Sequence, residues 1–204
     1  MSTMTAGSTK VGGQRAIPRA QEGFDMPALA RRMWGPMLAM GIMAVGAAVA
    51  AGVAEALSDD AATVAEIAAW KPGVAFLGIG FLLSAITFLL AGILGELRDG
   101  GTRVQEALGV SPLILRRPWT GYAFPVAMMM GLMVLVAAAV IGVVQAGEVT
   151  SDPALAADIG AWVSPLRFAG VALVFTGIAL ALLTVVKAIG FQSDRLGEIA
   201  GRGR

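Results

Sequence analysis

Asp25–Leu57 reads DMPALARRMWGPMLAMGIMAVGAAVAAGVAEAL, and the fold turns on it. Asp25 is a candidate helix cap, and Pro27 falls in the first turn, where its missing N–H has no intrahelical partner to lose. Arg31, Arg32 and Trp34 have the chemistry of a headgroup belt. From Trp34 to Leu57 the chain is almost wholly apolar. A helix over that stretch is about 36 Å long at ~1.5 Å per residue, enough to cross a hydrocarbon core of roughly 30 Å.

A related stretch returns at Ser111–Gly147, SPLILRRPWTGYAFPVAMMMGLMVLVAAAVIGVVQAG. Arg31-Arg32-x-Trp34 reappears as Arg116-Arg117-x-Trp119, 85 residues on, with Pro27 meeting Pro112. At an offset of 90, Met40, Gly41, Met43, Ala47, Ala48, Gly52, Val53 and Ala56 meet identical residues. At an offset of 92, Ile67, Ala69, Trp70, Phe76, Gly78, Ile86 and Leu90 do the same, as do Arg103, Glu106 and Gly109 beyond the span. An apolar alphabet produces chance identities inside spans. The polar flanks, matching in the same order, carry the argument for a tandem duplication.

Composition agrees with lipid as the solvent. Of 204 residues, 57% are hydrophobic and 14% charged, with a mean hydropathy of +0.77, against about 25% charged in an ordinary soluble domain. The net charge of +1 gives no electrostatic reason to expect nucleic acid. The sequence contains neither cysteine nor histidine. Disulfides, thiol catalysis, iron–sulfur clusters, the usual zinc sites, histidine-ligated haem and histidine acid–base chemistry are therefore excluded.

The expected fold is an all-α integral membrane protein of four transmembrane helices, built as two parallel helix–short surface helix–helix units. Residues 1–24 read as a disordered basic cytoplasmic arm rich in Ser, Thr, Gly and Pro, without the apolar core of a secretory signal. The first unit, 25–110, holds spans at about 34–57 and 73–97; the second, 111–204, holds spans at about 122–146 and 166–191. Ser58–Trp70 and Ser151–Trp162 read as short surface helices, the first capped by Ser58 and ended by Trp70 and Lys71-Pro72. Asp99-Gly100-Gly101 reads as a turn, Thr102–Leu108 as two further helical turns, and Ser193–Arg204 as a polar tail. Two spans per unit return the chain to its starting side, which gives a pseudo-twofold axis along the membrane normal. Arginines crowd the stretches before span one, between spans two and three, and after span four, while Asp59, Asp60, Glu66, Glu148, Asp152 and Asp158 crowd the other loops. The positive-inside rule puts both termini in the cytoplasm and the protein in a plasma (inner) membrane.

Candidate functional residues fall into three sets. Ala44, Ala48, Gly52 and Ala56, with Ala138, Gly142 and Ala146, form small-residue ridges that allow close helix approach. They suit either packing of spans one and three across the axis or contact with a partner subunit. Arg31, Arg32, Trp34, Trp70, Arg116, Arg117, Trp119 and Trp162 are interfacial anchors. Glu55, Glu96 and Lys187 are the ionisable groups nearest the spans, and a Glu96–Lys187 pair would join the halves; all three lie near span ends, where charge costs far less than at the bilayer centre. The methionines of spans one and three are adaptable packing residues, since Met128, Met129 and Met130 point about 100° apart and cannot share one ion. Ser84, Thr87, Thr176 and Thr184 are expected to bond back to their own helices.

No cofactor or metal site is expected, nor an enzyme. The leading expectation is a non-catalytic membrane subunit that anchors or scaffolds a larger complex or self-assembles, with the bilayer and a membrane protein or a second copy as partners. The alternative is a small-solute or ion transporter with a path at the interface between the two units.

Overall fold

The computed structural model describes residues 26–107, 109 and 118–202. Asp25, Arg116 and Arg117 lie outside them. Four helices follow in order: α1 (Met26–Leu57), α2 (Ala61–Ala107), α3 (Thr120–Glu148) and α4 (Pro153–Arg202). All four are long and apolar enough to cross a membrane.

The expected surface helices do not exist as separate elements. Residues 61–70 are the first turns of α2, and 153–162 are the first turns of α4. Pro72 and Pro165 lie inside those helices rather than ending them. A proline removes one backbone hydrogen bond and crowds the carbonyl four residues back; in these two helices neighbouring bonds carry the chain through. The expected turn at Asp99-Gly100-Gly101 is likewise helical, Thr102–Ala107 continues α2, and the tail from Ser193 continues α4. Nothing in the Gly-Gly sequence forbids helix; it only lowers its propensity, by about 1 kcal/mol per glycine. Helices of 47 and 50 residues are about 70 and 75 Å long at ~1.5 Å per residue, so they outrun a bilayer of about 40–45 Å.

The connections within each pair are short, and aspartates organise both. Asp60, rather than Ser58, caps α2: its carboxylate accepts from the N–H groups of Ala62 and Thr63, both at 3.2 Å, and from the Thr63 hydroxyl at 2.6 Å. The Thr63 hydroxyl, followed by the two amides, holds the Asp60 carboxyl below its ordinary range. Ser58 Oγ instead accepts from the Asp60 N–H. At the start of α4, Asp152 Oδ1 accepts from the Leu155 N–H at 3.1 Å.

Two antiparallel hairpins result, α1–α2 and α3–α4, and they close on the same pattern of glycines. A Cβ at Gly41 would lie 2.7 Å from the Leu82 side chain, and one at Gly78 would lie 2.8 Å from Val45. In the second hairpin Gly131 meets Val174 at 2.7 Å and Gly170 meets Leu135 at 2.7 Å. Each position in the second set is the register equivalent of one in the first, at offsets of 90 on the odd helices and 92 on the even ones. Missing side chains bring the backbones together, and dispersion contacts hold them there.

The hairpins join through α2, which touches all three other helices. α2 and α4 run parallel: Arg167 donates to the Ala69 carbonyl, Gln192 donates to the Leu97 carbonyl, and Phe76 meets Phe168 edge to face at 5.4 Å. α3 packs on α2, where Gly73 admits the Ala139 backbone and Gly80 admits Leu135. Among the described residues, however, α1 touches only α2. A twofold relation between the hairpins would require α1 on α4 wherever α3 is on α2, and would allow α1 near α3. Neither contact is present, so the pseudo-twofold expectation does not describe this arrangement. The hairpins are related head to tail. Near the chain-terminal end, Ala30, Phe88, Ala91, Phe124, Met128 and Ala181 form a buried apolar cluster.

Candidate partner interface and interfacial groove

The small-residue ridges are mostly engaged within their own hairpins or on α2. Ala44 lies against Gly78, Ala48 is buried, and Gly52 sits beside the Lys71 stem. Ala138, Gly142 and Ala146 are buried, with Gly142 making room for the Arg167 guanidinium and for the α2 backbone at Ala69 and Trp70. Ala56 is exposed. The ridges do not bring α1 and α3 together, because those helices do not meet. Small residues permit close approach to whatever helix is adjacent and carry no information about which one that is.

The tryptophans form two tiers. Trp34 and Trp119, exposed, lie at the end of the molecule that holds residues 26 and 202; Trp70, half-buried, and Trp162, exposed, lie at the end that holds the hairpin connections. Arg31 and Arg32 are exposed beside Trp34.

The ionisable residues separate rather than converge. Glu55 pairs with Lys71 across the first hairpin. Glu96 pairs with Arg31 at 3.2 Å, also across the first hairpin, and not with Lys187. Lys187 is exposed on α4. Glu55 and Glu96 therefore stand near opposite ends of the same helix pair, away from the junction between hairpins. Exposure and solvent screening leave the Arg31–Glu96 pair a small role in stability.

That pair borders a groove of about 440 Å³ between α1 and α2, walled by Ala30, Trp34, Phe88, Gly92 and Ile93. The corresponding positions of the second hairpin are filled. Carried along α1 at the offset of 90 that the Gly41 and Gly131 contacts set, in place of the offset of 85 of the Arg-Arg-x-Trp match, Ala30 meets Thr120, and at 92 Gly92 meets Thr184. Those two threonines are buried, and the Thr184 hydroxyl bonds both to Thr120 and to the Leu180 carbonyl at 2.8 Å. Where the second hairpin carries two hydrogen-bonded hydroxyls, the first carries a methyl and a hydrogen. The groove is what remains.

Arg167 is the residue whose importance the sequence concealed. It is buried between α2, α3 and α4, donates to the Ala69 carbonyl at 3.3 Å, and its Nε has no partner among the described residues. A charge at the start of an apolar run reads as a boundary marker. The only hint was comparative: its register equivalent on α2 is Ala75. The other deep polar groups bond to their own helices, Thr87 to Leu83 and Thr176 to Ala172. Ser84 Oγ is buried without a partner among the described residues.

α1, α3 and α4 all expose apolar faces along their length. Only 11% of the apolar stretch of α1 is buried. Ile42, Val49 and Val53 face outward on α1, as do Trp162, Phe168 and Phe175 on α4. Comparisons with family models, with curated proteins and with solved structures each found no match.

Proposed function

We infer that the protein is a non-catalytic integral membrane subunit, derived by tandem duplication of a two-span unit, with both termini on the cytoplasmic side of a plasma (inner) membrane. It anchors or scaffolds a larger membrane assembly, or assembles with itself. One observation carries this reading: α1 touches a single neighbouring helix, so most of its surface is left for lipid or for another protein. The polar groups inside the molecule support it, since the threonines bond to their own helices or to each other and Arg167 ties α4 to α2. The lengths of α2 and α4 support it as well, because helices that continue past the headgroups offer surfaces to a partner outside the bilayer.

The test is the mass of the protein extracted from its membrane in a mild detergent, measured by native mass spectrometry. The reading expects the 20.8 kDa chain in multiples or together with a second protein. A single copy, with no companion in any mild detergent, contradicts it.

A second reading, a solute path, is favoured by Arg167 alone, a buried cation with an unsatisfied Nε at the junction of three helices. Ionisable residues inside membrane-spanning helices mark substrate or ion pathways, and a cation suits an anionic solute. Anion flux in proteoliposomes that disappears in Arg167→Met would promote this reading; no flux from the intact chain would remove it.

A further inference from the structure

The contact between hairpins is heterologous, and its α2–α3 part recurs in register on α4 and α1; the Arg167 and Gln192 hydrogen bonds do not recur, because their register equivalents on α2 are Ala75 and Gly100. We propose that copies of this chain associate head to tail in the membrane, with α1 of one copy packing on α4 of the next as α3 packs on α2 within the chain. The proposal rests on the membrane-subunit reading above and names its partner as a second copy.

The internal contact supplies the template. On α2 it uses Ala69, Trp70, Gly73 and Gly80; on α3 it uses Leu132, Leu135, Ala139 and Gly142. Moving the α2 positions by 92 residues gives Ala161, Trp162, Pro165 and Ala172 on α4. Every one of these is exposed, Trp162 to 80%. Moving the α3 positions back by 90 gives Ile42, Val45, Val49 and Gly52 on α1. Ile42 and Val49 are 59% and 63% exposed, while Val45 and Gly52 are half-buried against α2.

Side-chain sizes fit across the missing contact at two of its three levels. Inside the chain, Leu135 fills the space over Gly80. Between copies, Val45 would face Ala172, so one carbon lost from α1 is returned on α4. Gly52 would meet the Ala161-Trp162 backbone as Gly142 meets Ala69-Trp70, with the same residue types on both sides. Pro165 and Val49 are larger than Gly73 and Ala139, so the helices part slightly at that level. Phe168, which meets Phe76 within the chain, keeps an exposed edge for Phe76 of the next copy. A stripe of small residues alone names no partner. Here the partner is named because the same surface, in the same register, is already covered once inside the molecule. A heterologous contact repeats, and it closes into a ring or continues as an array.

The chain has no cysteine, so introduced thiols report without background. In the internal template a Cβ at Gly73 lies 3.7 Å from the Ala139 Cβ, within the range of about 3.5–4.5 Å that a disulfide spans. The corresponding pair between copies is Val49→Cys with Pro165→Cys. Because α1 and α4 of one chain do not touch, a bond between these positions joins two copies. Mild oxidation of the full-length double variant in liposomes is expected to give a ladder of dimers, trimers and larger species on a denaturing gel. Mixing the two single variants is expected to give dimers only, and each single variant alone none. Val45→Cys with Ala172→Cys, the equivalents of Leu135 and Gly80, should repeat the pattern, which guards against one pair failing through local fit. Self-linked dimers from either single variant, or no ladder from both double variants, would overturn the proposal. The native mass of the unoxidised protein separates the two levels: an assembly that does not ladder removes the head-to-tail contact and leaves the subunit reading standing, whereas a lone chain removes both.

Discussion

Individual glycines determine how closely each hairpin closes, and their surroundings differ enough to predict opposite outcomes from the same substitution. A Cβ at Gly131 would lie 2.7 Å from the Val174 backbone nitrogen and 2.8 Å from the Gly170 carbonyl oxygen. Backbone cannot rotate aside, so Gly131→Ala must push α3 from α4 and should cost about 1–3 kcal/mol, the usual range for overpacking. Gly46 has nothing within 4 Å. Gly46→Ala should leave stability unchanged or raise it by up to about 1 kcal/mol through helix propensity alone. Helical circular dichroism followed through thermal unfolding in detergent distinguishes the two, and equal effects would contradict the packing described. Arg167 belongs to this scale too: a neutral side chain at the register-equivalent site on α2, Ala75, makes the cation a feature of one hairpin only.

Among elements, the two hairpins close on matching glycine contacts and differ in one filled space. The Thr120–Thr184 pair in the second stands where Ala30 and Gly92 leave a groove in the first. Ala30→Thr with Gly92→Thr should recreate the hydrogen bond and fill the groove. The double variant is expected to be more stable than the sum of its singles by about 0.5–1.5 kcal/mol, the net value of a typical hydrogen bond. A double-mutant cycle on thermal stability measures that coupling, and additive singles would show that the hairpins do not share the register. The four long apolar helices were legible in the sequence because runs of apolar residues of bilayer length have few other solutions. The ends of the helices were not. Lys71-Pro72 and Asp99-Gly100-Gly101 have the composition of boundaries, yet helix continues through both. Neighbouring helices and intact bonds on either side outweigh the local preference. The ridges were legible as sites of close approach, through Ala48, Ala138 and Gly142, but their neighbours were not. Likewise Glu96 found Arg31 on the adjacent helix before it could reach Lys187 on the other hairpin. Sequence spacing fixes which face a residue occupies, and only the assembled helices fix what lies opposite.

For the whole molecule, the consequence of a head-to-tail relation is incompleteness. α2 is covered by three helices, α4 by two and α1 by one, so the chain ends its own pattern with an apolar face open at each side. Lipid can cover such faces, but it gains nothing from the register they share with the internal contact. In the proposed head-to-tail assembly, copies of the chain cover them. The most direct measurement is energy transfer between purified full-length chains in liposomes, each carrying one donor or acceptor dye on a cysteine introduced at the exposed Ser193. Transfer that stays constant as lipid is raised tenfold over protein is the predicted result, because an assembled contact does not dilute. Transfer that falls towards zero in step with the added lipid would contradict the account.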